Sequence, residues 1–237
     1  MRKNILLLGE PRSGKTSLLE SLIKSHPSSQ GVKTTEVTIG GERSGFIIEN
    51  HKRESSTLAT INGTSEHTVG KYAVYPEVVS SIFTTVSPNE TLSLLYVDEV
   101  GRMQTMSSAF SEKVISLLNS EVTCVITASP SFSSPLLDEI KERKDVIIVE
   151  ITKETREVIK DYVAALVTKI EKARVYAKET DRFVRGETTS TIRLFSLHGT
   201  RNLRQNPHGE WTCDCTFFHR FTICSHVIAV ESYESKA

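Results

Sequence analysis

Three groups of residues in this chain have the types and spacings that chemistry requires. The first is Gly9-Glu10-Pro11-Arg12-Ser13-Gly14-Lys15-Thr16, of the form GxxxxGK[ST], a pattern whose backbone N–H groups cradle phosphates when it joins a strand to a helix. Here the amides from about Arg12 to Thr16 are expected to face the ligand at a helix N-terminus, where the macrodipole favours negative charge. Lys15 is placed to reach the β and γ phosphates and the Thr16 hydroxyl to bind Mg2+. The nucleotide-contacting set is thus Gly9, Glu10, Pro11, Arg12, Ser13, Gly14, Lys15, Thr16 and Ser17. The second group is Asp98-Glu99, which closes the apolar run Leu92–Val97. Asp98 is suited to hold Mg2+ through its water shell. Glu99, expected on the other side of the strand, is suited to orient or deprotonate an attacking water. That favours hydrolysis over transfer.

The third group is Cys213, Cys215, Cys224 and His226, in CDCTFFHRFTICSH. Three thiolates and one imidazole match the tetrahedral Cys3His set of structural Zn2+. His219, within the same loop, is a competing ligand. The fourth cysteine, Cys124, lies in an apolar strand run and reads as a small core residue.

The elements around these groups follow from hydrophobic periodicity. Ile5–Leu8 reads as a buried strand, and Leu18, Leu19, Leu22 and Ile23 mark one face of the helix after the glycine loop. Two alternating segments between Val32 and Glu49, around Gly40–Gly45, predict a hairpin. Thr57–Ile61 adds a strand and Pro76–Phe83 a helix with proline in its first turn. Leu92–Val97, Val122–Thr127 and Val146–Ile151 read as buried strands alternating with helices over 108–118 and 136–143, and a long helix runs from Lys153 to about Ala173. This alternation predicts an α/β fold with a mainly parallel central sheet flanked by helices. Beyond Arg174 shorter β-prone pieces, 175–177, 192–197 and 211–218, predict a small α+β zinc-binding domain. The expected division is 1–172 and 173–237.

Lys and Arg number 29, as do Asp and Glu, in 237 residues, so a globally basic coat for nucleic acid is excluded while a local patch is allowed. The length suits one larger domain and a small one. No apolar run reaches the ~18 residues that span a bilayer, and the N-terminal apolar run is shorter than the ~7 residues of a secretory signal. A cytoplasmic protein with reduced thiols and no membrane association is expected, which makes the cysteine cluster a metal site rather than a disulfide pair.

The region from Asn4 to about Ile159 resembles the THEP1 family of P-loop nucleoside triphosphatases. The resemblance rests on GEPRSGKT, GVKTTEV at 31–37 with the hairpin and Gly45-Phe46 after it, VGKYAV at 69–74, LLYVDEVGRMQ at 94–104 and ITKETR at 151–156. It implies a P-loop NTPase fold and Mg2+-dependent hydrolysis of ATP, GTP and other NTPs to NDP and phosphate. The chain departs from the family at Gln104, where an acidic residue is usual, and at Arg102, where lysine is common. Arg12 and Arg156 are candidate phosphate clamps, because guanidinium matches phosphate geometry. The arrangement CxC, eight residues, CxH, entered through Trp211-Thr212 and continued by HVIAV, resembles the SWIM zinc domain. That resemblance implies a DNA or protein partner.

From Lys172 to Ala237 the net charge is +3. Arg182, Arg185, Arg193, Arg201 and Arg204 could form a stripe on a phosphate backbone, with Trp211, Phe217 and Phe218 for stacking. A solvated face over a small aromatic core is the alternative. Besides an NTP hydrolase, the sequence admits an NTP-driven nucleic-acid-binding switch and a nucleotide kinase, since small P-loop folds host each.

Overall fold

The computed structural model describes residues 1–89 and 91–235. The chain divides into two compact units, Lys3–Ile159 and a second made of Met1–Arg2 with the chain from Lys160 onward.

In the first unit a strand in which every residue is buried, β1 (Asn4–Leu8), leads into the glycine loop and helix α1 (Lys15–Ser25), which buries Leu18, Leu19 and Leu22. Next come β2 (Gln30–Ile39), β3 (Glu42–Asn50), β4 (Ser55–Thr60), β5 (His67–Val69), β6 (Tyr72–Val74) and α2 (Glu77–Phe83). The rest alternates as expected: β7 (Leu95–Val100), α3 (Ser108–Asn119), β8 (Cys124–Ala128), α4 (Pro135–Glu142) and β9 (Val146–Glu150), followed by α5 (Arg156–Lys178), which from Lys160 on belongs to the second unit. The spatial order is β5-β6-β4-β3-β2-β7-β8-β1-β9.

The sheet is mixed, with two distinct halves. From β2 through β7, β8 and β1 to β9 all neighbours are parallel. From β2 outward every pairing is antiparallel. The change of sense originates at Gly40 and Gly41, both at positive φ (61° and 85°). Two consecutive residues of that kind make the tight turn whose twist matches an antiparallel hairpin. The inner strands of the parallel half, β1, β7 and β8, are buried on both faces, with Leu6, Leu95, Val97, Ile126 and the α3 residues Phe110, Val114, Leu117 and Leu118 inaccessible to solvent. Parallel strands need such double cover, which α1, α3 and α4 provide as crossovers. Each parallel strand therefore ends at the same edge of the sheet.

The second unit contains a four-stranded antiparallel sheet, β10 (Phe183–Arg185), β11 (Thr191–Ser196), β12 (Gly199–Gln205) and β13 (Trp211–Cys213), followed by α6 (Thr216–Phe221) and α7 (Ser225–Glu234). Ile192, Leu194, Leu203 and Trp211 face inward with Val227, Ile228 and Val230 of α7. Phe183 stacks on Tyr233 at 4.4 Å between centroids. Arg2 belongs to this unit and forms a two-pronged pair with Glu231 at 2.8 and 2.6 Å.

Two local expectations are corrected. Residues 175–177, read as β-prone, are the last turns of α5, because Tyr176 and Ala177 continue the buried face of Val163, Leu166, Val167, Ile170 and Ala173. The strand expected over 211–218 stops at Cys213, since the Cys215 sulfur accepts the Phe218 N–H and starts α6. Among the described residues no helix is long and apolar enough to cross a membrane.

Candidate active site and metal centre

The chain leaves the buried strand β1 at Gly9, where a Cβ would lie 2.4 Å from Ser13 Oγ and 2.5 Å from the Ile151 carbonyl oxygen. Only glycine fits between the loop and the strand end it crosses. Positive φ at Arg12 (67°) and Gly14 (107°) turns the loop back on itself. Gly14 caps α1 without a side-chain acceptor, so the first-turn N–H groups remain available to a ligand. Lys15 is buried and its Nζ donates to the carbonyl oxygens of Gly9 (2.6 Å) and Glu10 (3.2 Å). Ser13 Oγ is buried without a hydrogen-bond partner. An ammonium, an unpaired buried hydroxyl and a row of amides form a donor set that fits polyphosphate oxygens. Glu10, Pro11, Arg12, Thr16 and Ser17 line the exposed mouth of the loop.

The end of β7 lies against this loop. Asp98 is 4 % exposed and accepts a hydrogen bond from the Thr127 hydroxyl of β8. Burial raises its carboxyl above the ordinary range, while hydrogen bonds from Thr127 and Thr16 and the charge of Lys15 oppose the rise. Glu99 is half-exposed, with Oε2 4.0 Å from Lys15 Nζ. Its carboxyl is also raised, chiefly by burial and further by Asp98, against the pull of Lys15. Both acids act on Lys15. The β7–β8 ladder breaks register between Val97 and Val100, so strict alternation lapses at this point. Thr16 and Asp98, through oxygen ligands alone, suit Mg2+.

Arg156 opens α5 beside the loop, its Cβ and Cδ 3.5 and 3.6 Å from where a Gly14 Cβ would stand. The side chain is more than half exposed and pairs with Glu157 at 3.4 Å. Arg12 lies on the hairpin side of the loop, where its charge helps hold Glu36 below the ordinary carboxylate range, behind the larger effect of Arg43.

Two contributors escape the motif reading. Thr127 could have been suspected as a polar residue in the otherwise apolar run Cys124–Ala128, fully buried. Gln104 is buried in a 3-10 turn over Gln104–Met106 and donates to Thr34 Oγ1 of β2 at 2.8 Å. It borders a cavity of about 490 Å³ that opens on Thr16, Asp98 and Glu99. A second cavity, of about 340 Å³, flanks Gly9–Pro11 and the end of β9.

In the second unit one ligand atom from each of Cys213, Cys215, Cys224 and His226 falls within 4.8 Å of all the others. Cys213 Sγ and Cys224 Sγ lie 3.6 and 3.7 Å from His226 Nδ1. Bonds of roughly 2.0–2.3 Å to a tetrahedral ion give ligand separations of about that size. The grouping suggests a zinc site. It also points to Nδ1 as the imidazole ligand. Cys213 ends β13, Cys215 and Cys224 cap α6 and α7 by accepting the N–H of Phe218 and Val227, and His226 is in the first turn of α7. Burial raises the Cys215 thiol above its ordinary range, against the pull of the Phe218 N–H. His219, the competing ligand, is not in the group. Cys124 is completely buried, its thiol pushed up to about 12 by burial, as suits a core residue.

The NTPase family model matches residues 4–164, more than half of the chain. The chain belongs to the THEP1 family of nucleoside-triphosphatases. Nucleoside-triphosphatase THEP1 of Thermotoga sp. (strain RQ2) is 33 % identical over 154 residues, 64 % of this chain and 88 % of that protein. The human cancer-related nucleoside-triphosphatase is 29 % identical over 174 residues, 66 % of this chain and 92 % of its own length. Among solved structures, THEP1 from Aquifex aeolicus superposes with a TM-score of 0.60 at 25 % identity, covering 69 % of this chain and 98 % of that one. The NTPase match stops at residue 164, so the Cys3His cluster lies beyond it.

Gly9→Ala is expected to cost about 1–3 kcal/mol of loop strain, weakening triphosphate binding by roughly 5- to 150-fold in a calorimetric titration. An unchanged affinity would mean that the loop relaxes freely and that the close approach at Gly9 is irrelevant.

Proposed function

We propose that this nucleoside-triphosphatase hydrolyses NTPs, ATP and GTP among them, to NDP and phosphate at the junction of the glycine loop with the end of β7. The observation that carries the reading is the convergence of Asp98 and Glu99 on Lys15 and Thr16. Lys15 and the amides of residues 12–16 bind the β and γ phosphates, and Arg156 and Arg12 stand at the rim to clamp them. Thr16 and Asp98 hold Mg2+, which when bound neutralises charge developing on the phosphoryl oxygens. Glu99, half-exposed and with its carboxyl raised by burial, orients the attacking water and takes its proton.

The second unit is read as a zinc module of the SWIM type, held by Cys213, Cys215, Cys224 and His226. Its resemblance in ligand spacing and the compact ligand group support this. Of its candidate partners, nucleic acid is favoured over protein by one face of the sheet. Arg193 and Phe195 of β11 and Arg204 of β12 are exposed and lie on the same side, opposite to buried Ile192, Leu194 and Leu203. The longer stripe is not assembled: Arg182 pairs with Glu179, Arg185 pairs with Glu234, and Trp211 is buried.

Glu99→Gln should lower phosphate release by about 10²-fold or more with little change in triphosphate affinity; a rate equal to the parent's would remove Glu99 from the chemistry. Elemental analysis should find one zinc per chain, and Cys224→Ala should abolish it and make residues beyond about 174 protease-sensitive while 4–159 stay resistant. A folded, zinc-free tail would refute the module. Single-stranded nucleic acid should bind with an affinity that falls steeply with salt, more weakly in Arg193→Ala/Arg204→Ala. No binding at low salt would leave a protein as the partner.

A further inference from the structure

The 490 Å³ cavity beside Glu99 is more than a water requires. It lies between the β2–β3 hairpin and the turn after β7, and one side is apolar, made by Phe46, Val69 and Met103. The polar lining is Thr34 and Gln104, already tied to each other, together with Thr16, Asp98 and Glu99. A volume of this order is that of a small-molecule site, roughly 300–1,000 Å³. An apolar wall facing convergent polar groups gives such a site its orientation.

The charges decide what kind of molecule fits. Lys33 is engaged by Glu20 and Glu49, each at 3.7 Å. Glu36 is engaged by Arg43 at 2.5 Å. Of the lining cations only Arg102 is left, against the carboxylates of Asp98 and Glu99, and it is exposed. A phosphate or carboxylate acceptor needs a surplus of positive charge to come close to a triphosphate, and this wall lacks it. A hydroxyl acceptor is neutral. It needs only a base within reach, and Glu99 lines the cavity.

We propose that this cavity binds an uncharged, hydroxylated compound with a planar ring, a nucleoside being the type, and that the protein transfers the γ-phosphoryl group of NTP to it alongside hydrolysis. The planar ring rests on Phe46 and Val69, and the hydroxyl is presented to Glu99. In the step, the acceptor oxygen bonds to the γ phosphorus, the bond from that phosphorus to the β–γ bridging oxygen breaks, NDP leaves, and the hydroxyl proton passes to Glu99. Water occupying the same place gives phosphate instead. The inference rests on the NTP-hydrolysing reading of the same loop and carboxylates, and it adds an organic competitor for water.

The test uses the full-length protein with Mg2+ and γ-labelled ATP, first alone and then with each common ribonucleoside and deoxyribonucleoside, and separately with their monophosphates. Label should move from phosphate into a nucleoside 5′- or 3′-phosphate as nucleoside concentration rises. Val69→Trp, which fills the apolar side without touching the glycine loop, should lose this transfer by tenfold or more and keep its acceptor-free phosphate release. Phe46→Leu, a milder change, should raise the half-saturating nucleoside concentration. Release of all label as phosphate, whatever nucleoside is present, would overturn the proposal and leave hydrolysis standing. Transfer to monophosphates alone would overturn the assignment to a neutral hydroxyl. Equal transfer by Val69→Trp and the parent would place the acceptor outside the cavity. Absence of phosphate release in the acceptor-free reaction would instead count against hydrolysis itself.

Discussion

A carboxylate at the inner end of β7 has been taken out of water, and the surroundings of Asp98 are arranged to make that tolerable. Burying an unpaired charge costs several kcal/mol. Asp98 recovers part of this through the hydroxyls of Thr127 and Thr16 and the ammonium of Lys15. These partners come from two further elements, β8 for the first and the start of α1 for the other two. The parallel order β7-β8-β1 therefore has an electrostatic role as well as a packing one. It brings the strand end that carries the acid, the strand end that supplies a hydroxyl and the loop that supplies the ammonium to one edge. A divalent cation completes the same balance, since it adds the positive charge that a buried acid and a polyphosphate both lack.

How much of this could be read in advance depended on how local each signal is. The glycine loop is local: its glycines, lysine and threonine lie within one short stretch, and the buried strand and amphipathic helix on either side fix its context. Asp98 was legible because, in a parallel sheet, an acid that closes an apolar run stands at the carboxyl end of a strand, where ligands bind. Thr127 stands out in CVITA only as a polar residue in an apolar run; its role was not legible, because its partner is another strand's side chain. Gln104 was visible only as a departure from a family pattern; its bond to Thr34 depends on the turn after β7 meeting β2, a tertiary fact. The side on which Glu99 faces is less legible, because alternation assumes an unbroken ladder and this ladder shifts register between Val97 and Val100. The antiparallel half of the sheet was only partly seen, since strands as short as His67–Val69 and Tyr72–Val74 carry too few residues to show a period.

In the C-terminal unit the balance of signals is reversed. Its four ligands were readable because metal ligation demands rare residue types, whereas its strands are weak in pattern. Its ordinary core is small, and the ligand group ties the end of β13 to the starts of α6 and α7. A metal at that point would substitute for apolar area that a unit of this size cannot supply. Sequence shows the number of the arginines and not their direction, so a stripe and a solvated face stood as alternatives; the sheet separates the arginines by face and by ion pair.

The pairing of Arg2 with Glu231 spans 229 positions. It makes the C-terminal unit discontinuous in the gene although compact in space. During synthesis the chain emerges from its N-terminal side, so Arg2 leaves the ribosome 229 positions before its partner. The stretch that forms the sheet of the first unit is complete before α7 exists. The unit that contains Arg2 can thus close only after the whole of the first unit has been made, so the two units are completed in sequence.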